Sequence, residues 1–447
     1  MKTTEIDPSS ELAFFEVLSD LITIPSVKGL PTDNAPYGTA TAQALNYILD
    51  RAQACGLRVN NLDNRVGYAE WGEGERMIAV LCHLDVVPPG EGWETEPFSL
   101  IRRNGLLIGR GISDNKGPAV CALFALLQLR ESGYRPACRI RLIFGLDEEH
   151  GSTCMEHYAG VEELPVTGFT PDASFPAIFA EKGLIQLSLN GSGSRTLEMT
   201  GGDAYNMVPS SCMIKENTTG RIFSANGVPA HASTPEKGVN AILEAVFAIP
   251  DDIANREPVI AFLRKYLKGE ANIRTLISCA PGDISGELTV NVGITRINGE
   301  ESMVGFDIRY PVESDGEAIQ KEISIKAAEY GLSTRCVNHL PPLYTPPDSI
   351  SMIALRDAYK RHVRQAYLAD HPGVNEVPGK YLSSDPIAIG GATYARSIPN
   401  IVAFGPLFPW EAGCMHQKNE HFSEKGLWAS VALYQDAIRS ICETIEV

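Results

Sequence analysis

The first 183 residues alternate helical and strand patterns, and this alternation constrains the fold more than any other feature of the chain. Residues 10–22 carry Leu12, Phe15, Leu18, Leu21 and Ile22 at helical spacing, with Pro25 just past the end. Residues 39–54 repeat the pattern and stop at Gly56. Met77 to Leu81 is an apolar run of strand length. Leu106 to Ile108 follows the hairpin dipeptide Asn104-Gly105. Pro118 sits near the start of a helix reaching Arg130, and Ile140 to Phe144 reads as another strand. Strands interleaved with helices predict an α/β layer whose mixed sheet is largely parallel and flanked by helices.

The middle of the chain has a different character. Residues 184–381 hold alternating strand-like pieces, such as Leu184 to Leu189 and Leu288 to Val292, and helical stretches near 239–248 and 350–365. They predict an inserted α+β domain. Residues 382–447 return to the α/β pattern, with a glycine-rich turn, an apolar strand from Ile401 to Phe404 and a closing helix from Gly426. The expected organisation is one discontinuous domain, 1–183 plus 382–447, interrupted by a second at 184–381.

Composition narrows the partners. Against 38 Lys and Arg stand 55 Asp and Glu, a net charge of −17. That balance argues against nucleic acid and anionic membrane surfaces. The N-terminal stretch lacks a basic segment followed by an unbroken apolar core, and no apolar run is long enough to span a bilayer. Ten cysteines without a C-x-x-C pair predict reduced, mostly buried thiols and a cytoplasmic protein.

Five short segments carry the carboxylates and imidazoles that a metal site needs. His83 and Asp85 leave the apolar strand that begins at Met77. Asp114 lies in the glycine-containing turn before the helix at Pro118. Glu148 and Glu149 follow the strand at Ile140. Asp172 stands in the loop after Pro171, and His416 with Glu420 lies near the C-terminus. A histidine at a strand tip can ligate a metal, and Asp85 can hydrogen-bond its other ring nitrogen. Gly109-x-Gly111 hints at a nucleotide loop, but Asp114 occupies the third glycine position of that motif. Each segment alone is weak evidence. Together they matter, because ligands of α/β sheets gather beyond the carboxyl ends of the strands.

In this order, His83-x-Asp85, Gly111-x-x-Asp114-x-Lys116-Gly117, Glu148-Glu149, Asp172 and His416-x-x-Asn419-Glu420 resemble the signature of the M20 family of dinuclear zinc metallopeptidases. The strings CHLDVVPPGEGWETEPF, GRGISDNKGP, DEEHGS and TPDASFPAIFAEKG are similar to its dipeptidase branch. The resemblance implies that Asp114 bridges two metal ions. His83 and Asp172 would complete one site, and Glu149 and His416 the other. Glu148 would be the general base, and Asp85 would support His83. The ions implied are Zn2+, with Mn2+ or Co2+ as alternatives.

The same resemblance reaches into the insertion, which it casts as a lid. It implies that Asn206, in GDAYNMVP, contacts substrate and that His231, in GVPAHAS, stabilises the oxyanion. Arg309, in FDIRYP, would grip the substrate's terminal carboxylate, and Gly391 would belong to a substrate-facing turn. The expected activity is hydrolysis of the peptide bond of dipeptides, by a metal-bridged hydroxide with Glu148 as base. The expected partner is a small peptide substrate alone, bound by a monomer. The competing expectations are an amidohydrolase of the same fold acting on N-acyl amino acids, and a non-catalytic metal- or peptide-binding relative.

Overall fold

The computed structural model describes residues 8–445. Residues 1–7 of the N-terminal stretch read above for an export signal, and residues 446–447, lie outside them. The chain forms two compact units. The first comprises the chain up to Phe179, Thr345–Ile387, and the chain from Thr393 onward. The second comprises Ala180–Tyr344 and Ala388–Ala392.

This division corrects the expected insertion of 184–381. The helix Ile350–Asp370 belongs to the first unit, where it packs along the C-terminal helix Glu424–Ile445. It buries Met352, Leu355, Tyr359 and Val363, while Arg361 and His362 both reach Asp436, at 2.8 and 2.9 Å. Its amphipathic period identified a helix without identifying what that helix packs against.

The first unit is built on a mixed sheet. Its central strand, Met77–His83, is buried at every position and runs parallel to Arg139–Gly145 on one side and Thr167–Thr170 on the other. Ile401–Ala403 continues the parallel set beside Thr167–Thr170. An antiparallel edge, Val66–Trp71 then Arg58–Leu62, completes the other flank. Strands covered on both faces read as unbroken apolar runs, which is why Met77 to Leu81 stands out in the sequence.

The helix Lys116–Glu131 is buried almost all round, between the sheet and the helices Pro8–Thr23 and Glu424–Ile445. In Pro8–Thr23 the buried face is Phe14, Val17, Leu18, Leu21 and Ile22. Leu12, expected on that face, is 73% exposed. The hairpin at Asn104-Gly105 forms as expected, with φ of 55° and 78° at the two turn residues, between Ile101–Arg103 and Leu106–Ile108.

The second unit is an antiparallel sheet of seven strands. In spatial order they are Ile222–Asn226, Ser211–Glu216, Leu197–Gly201, Thr289–Ile297, Glu301–Tyr310, Gly183–Ser192 and Ser333–Leu340. Leu187, Ile214, Val292, Phe306 and Ile308 face a core shared with the helices Ala241–Ala248, Pro258–Tyr266 and Gly316–Ala328. The alternate residues Asp307 and Arg309 lie on the opposite face. Among the described residues, no helix is long and apolar enough to cross a membrane.

Candidate metal centre

The parallel strands of the first unit deliver the acids and imidazoles to one end of the sheet. Met77–His83 ends on His83, Arg139–Gly145 runs into Glu148 and Glu149, and Thr167–Thr170 runs into Asp172. Asp114 arrives from the turn before the helix Lys116–Glu131, and His416 from the loop before the C-terminal helix.

Asp114 stands between two groups of side chains. Its Oδ1 lies 2.9 Å from His83 Nε2, which also faces Asp172 Oδ1 at 3.4 Å. Its Oδ2 lies 3.0 Å from His416 Nε2, which faces Glu149 Oε2 at 3.1 Å. His83, Asp114 and Asp172 form one potential ligand set, and Asp114, Glu149 and His416 the other. Ligands bonded to one small cation at about 2.0–2.1 Å in tetrahedral geometry sit about 3.3 Å apart, close to these spacings. A second sign of fit is Glu149 Oε1, which is buried and has no hydrogen-bond partner. Mixed imidazole and carboxylate donors sharing one bridging carboxylate suit a pair of divalent ions.

The electrostatics follow from this crowding. Burial works against charge on His83, yet Asp114, Asp172 and Asp85 outweigh it and hold the imidazolium well above its ordinary pKa. Hydrogen bonds to Asp114 and Glu149 raise His416 to about 10. Burial likewise opposes the Asp114 charge, but His416 and His83 keep its carboxyl below the usual range. Glu148 belongs to neither ligand set. Burial, then the nearby charges of Asp172, Asp114 and Glu149, push its carboxyl well above the ordinary value.

Asp85 meets His83 chiefly through its main chain. His83 Nδ1–H donates to the backbone carbonyl of Asp85, at 3.0 Å, while the Asp85 carboxylate is 3.5 Å away. That carboxylate instead accepts the backbone N–H groups of Glu148 and Glu149, at 3.2 and 3.1 Å. With Nδ1–H donated to a carbonyl, the neutral ring presents the Nε2 lone pair to the centre.

Two residues with no role in the sequence reading hold the His416 loop. Glu420 and Arg110 form a fully buried ion pair at 2.6 Å. Glu420 also accepts the N–H groups of Gly111, Ser113 and Asp114 at 3.0, 2.8 and 3.2 Å. Arg110 donates to the carbonyl of Gln417 at 3.3 Å, next to His416, whose φ of 62° is left-handed. One signal was present: Glu420 ends the His416-x-x-Asn419-Glu420 segment, and a buried arginine requires a buried acid. Cys82 is buried in the core, and Cys414 Sγ sits against the backbone of His421, away from both ligand sets.

In the second unit, Asn206, His231, Arg309 and the Gly390–Gly391 turn are neighbours. Met207 and His231 pair in an antiparallel bridge, and Asn206 accepts the Ala232 N–H at 2.9 Å. The Ser233 N–H donates to His231 Nδ1 at 3.2 Å, so the neutral imidazole carries its proton on Nε2. A Cβ on Gly390 would lie 2.9 Å from Ser233 Cβ. Arg309 donates to the carbonyl of Gly390 at 2.7 Å and grips Asp307 through Nε and Nη2, at 2.6 and 3.2 Å. It is 4% exposed, and much of its guanidinium is committed within the unit rather than open to a ligand.

The family model of peptidase family M20/M25/M40 matches residues 79–440. The chain belongs to this family. A relative from Bacillus subtilis, named "Putative dipeptidase YtjP", is 34% identical over 452 aligned residues, covering 91% of this chain and 92% of that one. Among solved structures, human carnosine dipeptidase 1 superposes with a TM-score of 0.59 at 16% identity, covering 97% and 98% of the two chains. The Bacillus subtilis YXEP protein, described as a dinuclear metal binding peptidase from the M20 family, gives 0.53 at 13% identity, covering 99% and 100%. Both structures share the fold. The M20 peptidase described here is thus a hydrolase of a dinuclear metal-binding family, and Asp114 is common to its two candidate ligand sets.

Proposed function

We propose that this M20 peptidase is a zinc-dependent dipeptidase that cleaves the single peptide bond of dipeptides. The observation that carries the reading is the position of Asp114, one oxygen toward His83 and the other toward His416, with Glu148 alongside but outside both ligand sets. The names of its relatives support the dipeptide as substrate. His83, Asp114 and Asp172 would hold one Zn2+, and Asp114, Glu149 and His416 the other. Mn2+ and Co2+ suit the same donors.

Bound there, the ions would supply Lewis acidity and positive charge at the scissile carbonyl. Glu148 takes a proton from the attacking water and passes it to the leaving amine, a task suited to a carboxyl whose proton affinity is raised by its surroundings. Asp85 fixes the backbone from which Glu148 projects. His231 donates its Nε2–H to the developing oxyanion. Asn206 and the Gly391 turn contact the substrate. Arg309 binds the substrate's carboxylate with what remains of its guanidinium and holds Gly390 in place. We further propose that the enzyme acts as a cytoplasmic monomer, the location being supported by ten cysteines that include no C-x-x-C pair.

A substrate panel tests the reading. Ala-Ala and β-Ala-His should be hydrolysed in the presence of Zn2+, Mn2+ or Co2+ and left intact after chelation. Preference for N-acetyl amino acids would make the protein an amidohydrolase, and inertness toward the whole panel would make it a binding protein. For the monomer, impaired His231→Ala chains are mixed with impaired Glu148→Ala chains. Recovery of activity would show the histidine serving another chain and would rule out a self-sufficient monomer.

A further inference from the structure

Asn291 lies on the strand Thr289–Ile297 and is 1% exposed, yet it belongs to no ligand set and to no motif in the sequence. Its side-chain amide donates to two carbonyls, Tyr205 O at 3.0 Å and Met207 O at 2.9 Å. Those carbonyls bracket Asn206. Its Oδ1 accepts from Asn240 Nδ2 at 3.1 Å, and Asn240 in turn caps the helix Ala241–Ala248 through the N–H groups of Ile242 and Leu243. Both amide donors are thus used on one loop, and its acceptor is tied to a helix end.

The sheet is shaped to receive that loop. The ladder between Thr289–Ile297 and Glu301–Tyr310 slips between Val292 and Ile294, a β-bulge at Gly293. A Cβ on Gly293 would come within 2.4 Å of Tyr205 O, and a Cβ on Gly305 within 2.5 Å of the Tyr205 ring. Only glycine lets the 204–207 segment lie this close to the strands. Beyond the loop, Val208 N–H donates to Ala230 O at 2.8 Å, and the Met207–His231 bridge carries the register on to the histidine. Asn206 and His231 are both exposed at the end of this chain of bonds, whereas Asn291 at its root is buried.

We infer that Asn291 is a positioning residue that sets the Asn206 loop, and through it His231, for the hydrolytic reaction. It touches no substrate. The inference rests on the reading above that Asn206 and His231 act on the substrate. Removing the two donors takes from the Tyr205 and Met207 carbonyls the bonds that fix the loop, and the loop shifts as they find new partners. A displacement of about 1 Å at a group stabilising the transition state can cost about 10²-fold in rate. The loss should fall on kcat more than on KM, because oxyanion stabilisation is made only in the transition state.

The test is a graded series on the full-length, zinc-loaded enzyme with Ala-Ala as substrate. Asn291→Ser keeps one donor and Asn291→Ala keeps none. Both are expected to retain two ions per chain, with kcat falling stepwise to about 10²-fold for Ala. The deciding measurement is a double-mutant cycle. In the His231→Ala and Asn206→Ala backgrounds, Asn291→Ser or Asn291→Ala should add less than about a further twofold. Full additivity, with both single variants impaired, would overturn the inference and leave the functional reading standing. Wild-type turnover by His231→Ala and Asn206→Ala would overturn both. Should Asn291→Ala not fold, the cycle built on Asn291→Ser decides by the same criteria.

Discussion

The carboxylate of Asp85 holds the backbone of Glu148: Oδ1 accepts the Glu148 N–H at 3.2 Å, and Oδ2 accepts the next N–H along, at 3.1 Å. One residue thus serves both parts of the centre, its main-chain carbonyl orienting His83 and its side chain fixing the acid pair. The two tasks are separable. Asp85→Ala should keep the ion at His83, because the Nδ1 hydrogen bond is to the main chain, while turnover falls about 10- to 100-fold as Glu148 loosens. Metal analysis beside steady-state kinetics reads this out. Loss of the His83 ion with an otherwise normal rate per remaining ion pair would reverse the assignment.

Glu148 and Glu149 are adjacent in sequence and differently placed. Glu149 Oε2 faces His416, whereas Glu148 is in neither ligand set. Glu148→Ala should therefore bind two ions yet lose activity by about 10²- to 10⁴-fold, the range for a general acid–base group. Glu149→Ala should lower the metal content. Elemental analysis of the two proteins settles the matter, and the opposite pattern would exchange their roles.

The Arg110–Glu420 pair predicts a stability effect linked to metal binding. Removing one member of a fully buried ion pair typically costs about 3–5 kcal/mol, because the other charge is left uncompensated. Glu420→Ala should show that loss in denaturant unfolding and also weaken the ion held by His416, whose loop Arg110 and Glu420 tie down. Joining Arg110→Met to Glu420→Leu should recover much of the stability but not the metal affinity. Restoration of both would mean that the pair matters only for packing.

Glu411 gives a pH dependence of known sign. Burial raises its carboxyl to about 8, against the opposing hydrogen bond from the Phe408 N–H. The folded state holds this proton more tightly than the unfolded chain does. The contribution is therefore fully present below about pH 4.5 and is lost as pH rises through about 8. Glu411→Gln, which keeps a neutral side chain of the same shape, should flatten the decline in unfolding midpoint between pH 5 and 8 relative to the parent. Parallel profiles for the two proteins would exclude this linkage.

The candidate ligand residues of the first unit could be picked out because they lie where a simple rule applies. Apolar runs such as Met77 to Leu81 mark buried parallel strands, the carboxyl ends of such strands converge, and His83, Glu149 and Asp172 all follow those ends. The antiparallel flank at Arg58–Leu62 and Val66–Trp71 was missed: the first strand is largely exposed, and the second, buried or half-buried throughout, has neither a clean alternation nor an unbroken apolar run.

The sequence by itself picked out the residues proposed to carry the chemistry and the type of element each one sits on, because side-chain periodicity and motif spacing are local properties. Only the tertiary structure decided the partners. The helix Ile350–Asp370 has an apolar face that many surfaces could cover, and packing assigned it to Glu424–Ile445. Arg110 and Glu420 meet across 310 residues. Asp85 turns its carboxylate to the Glu148 backbone and meets His83 through its main-chain carbonyl, and Arg309 is committed to Asp307 and Gly390. A buried polar group must be satisfied by whatever the folded chain brings within about 3 Å of it. That neighbour is set by the approach of distant segments, which no local pattern encodes.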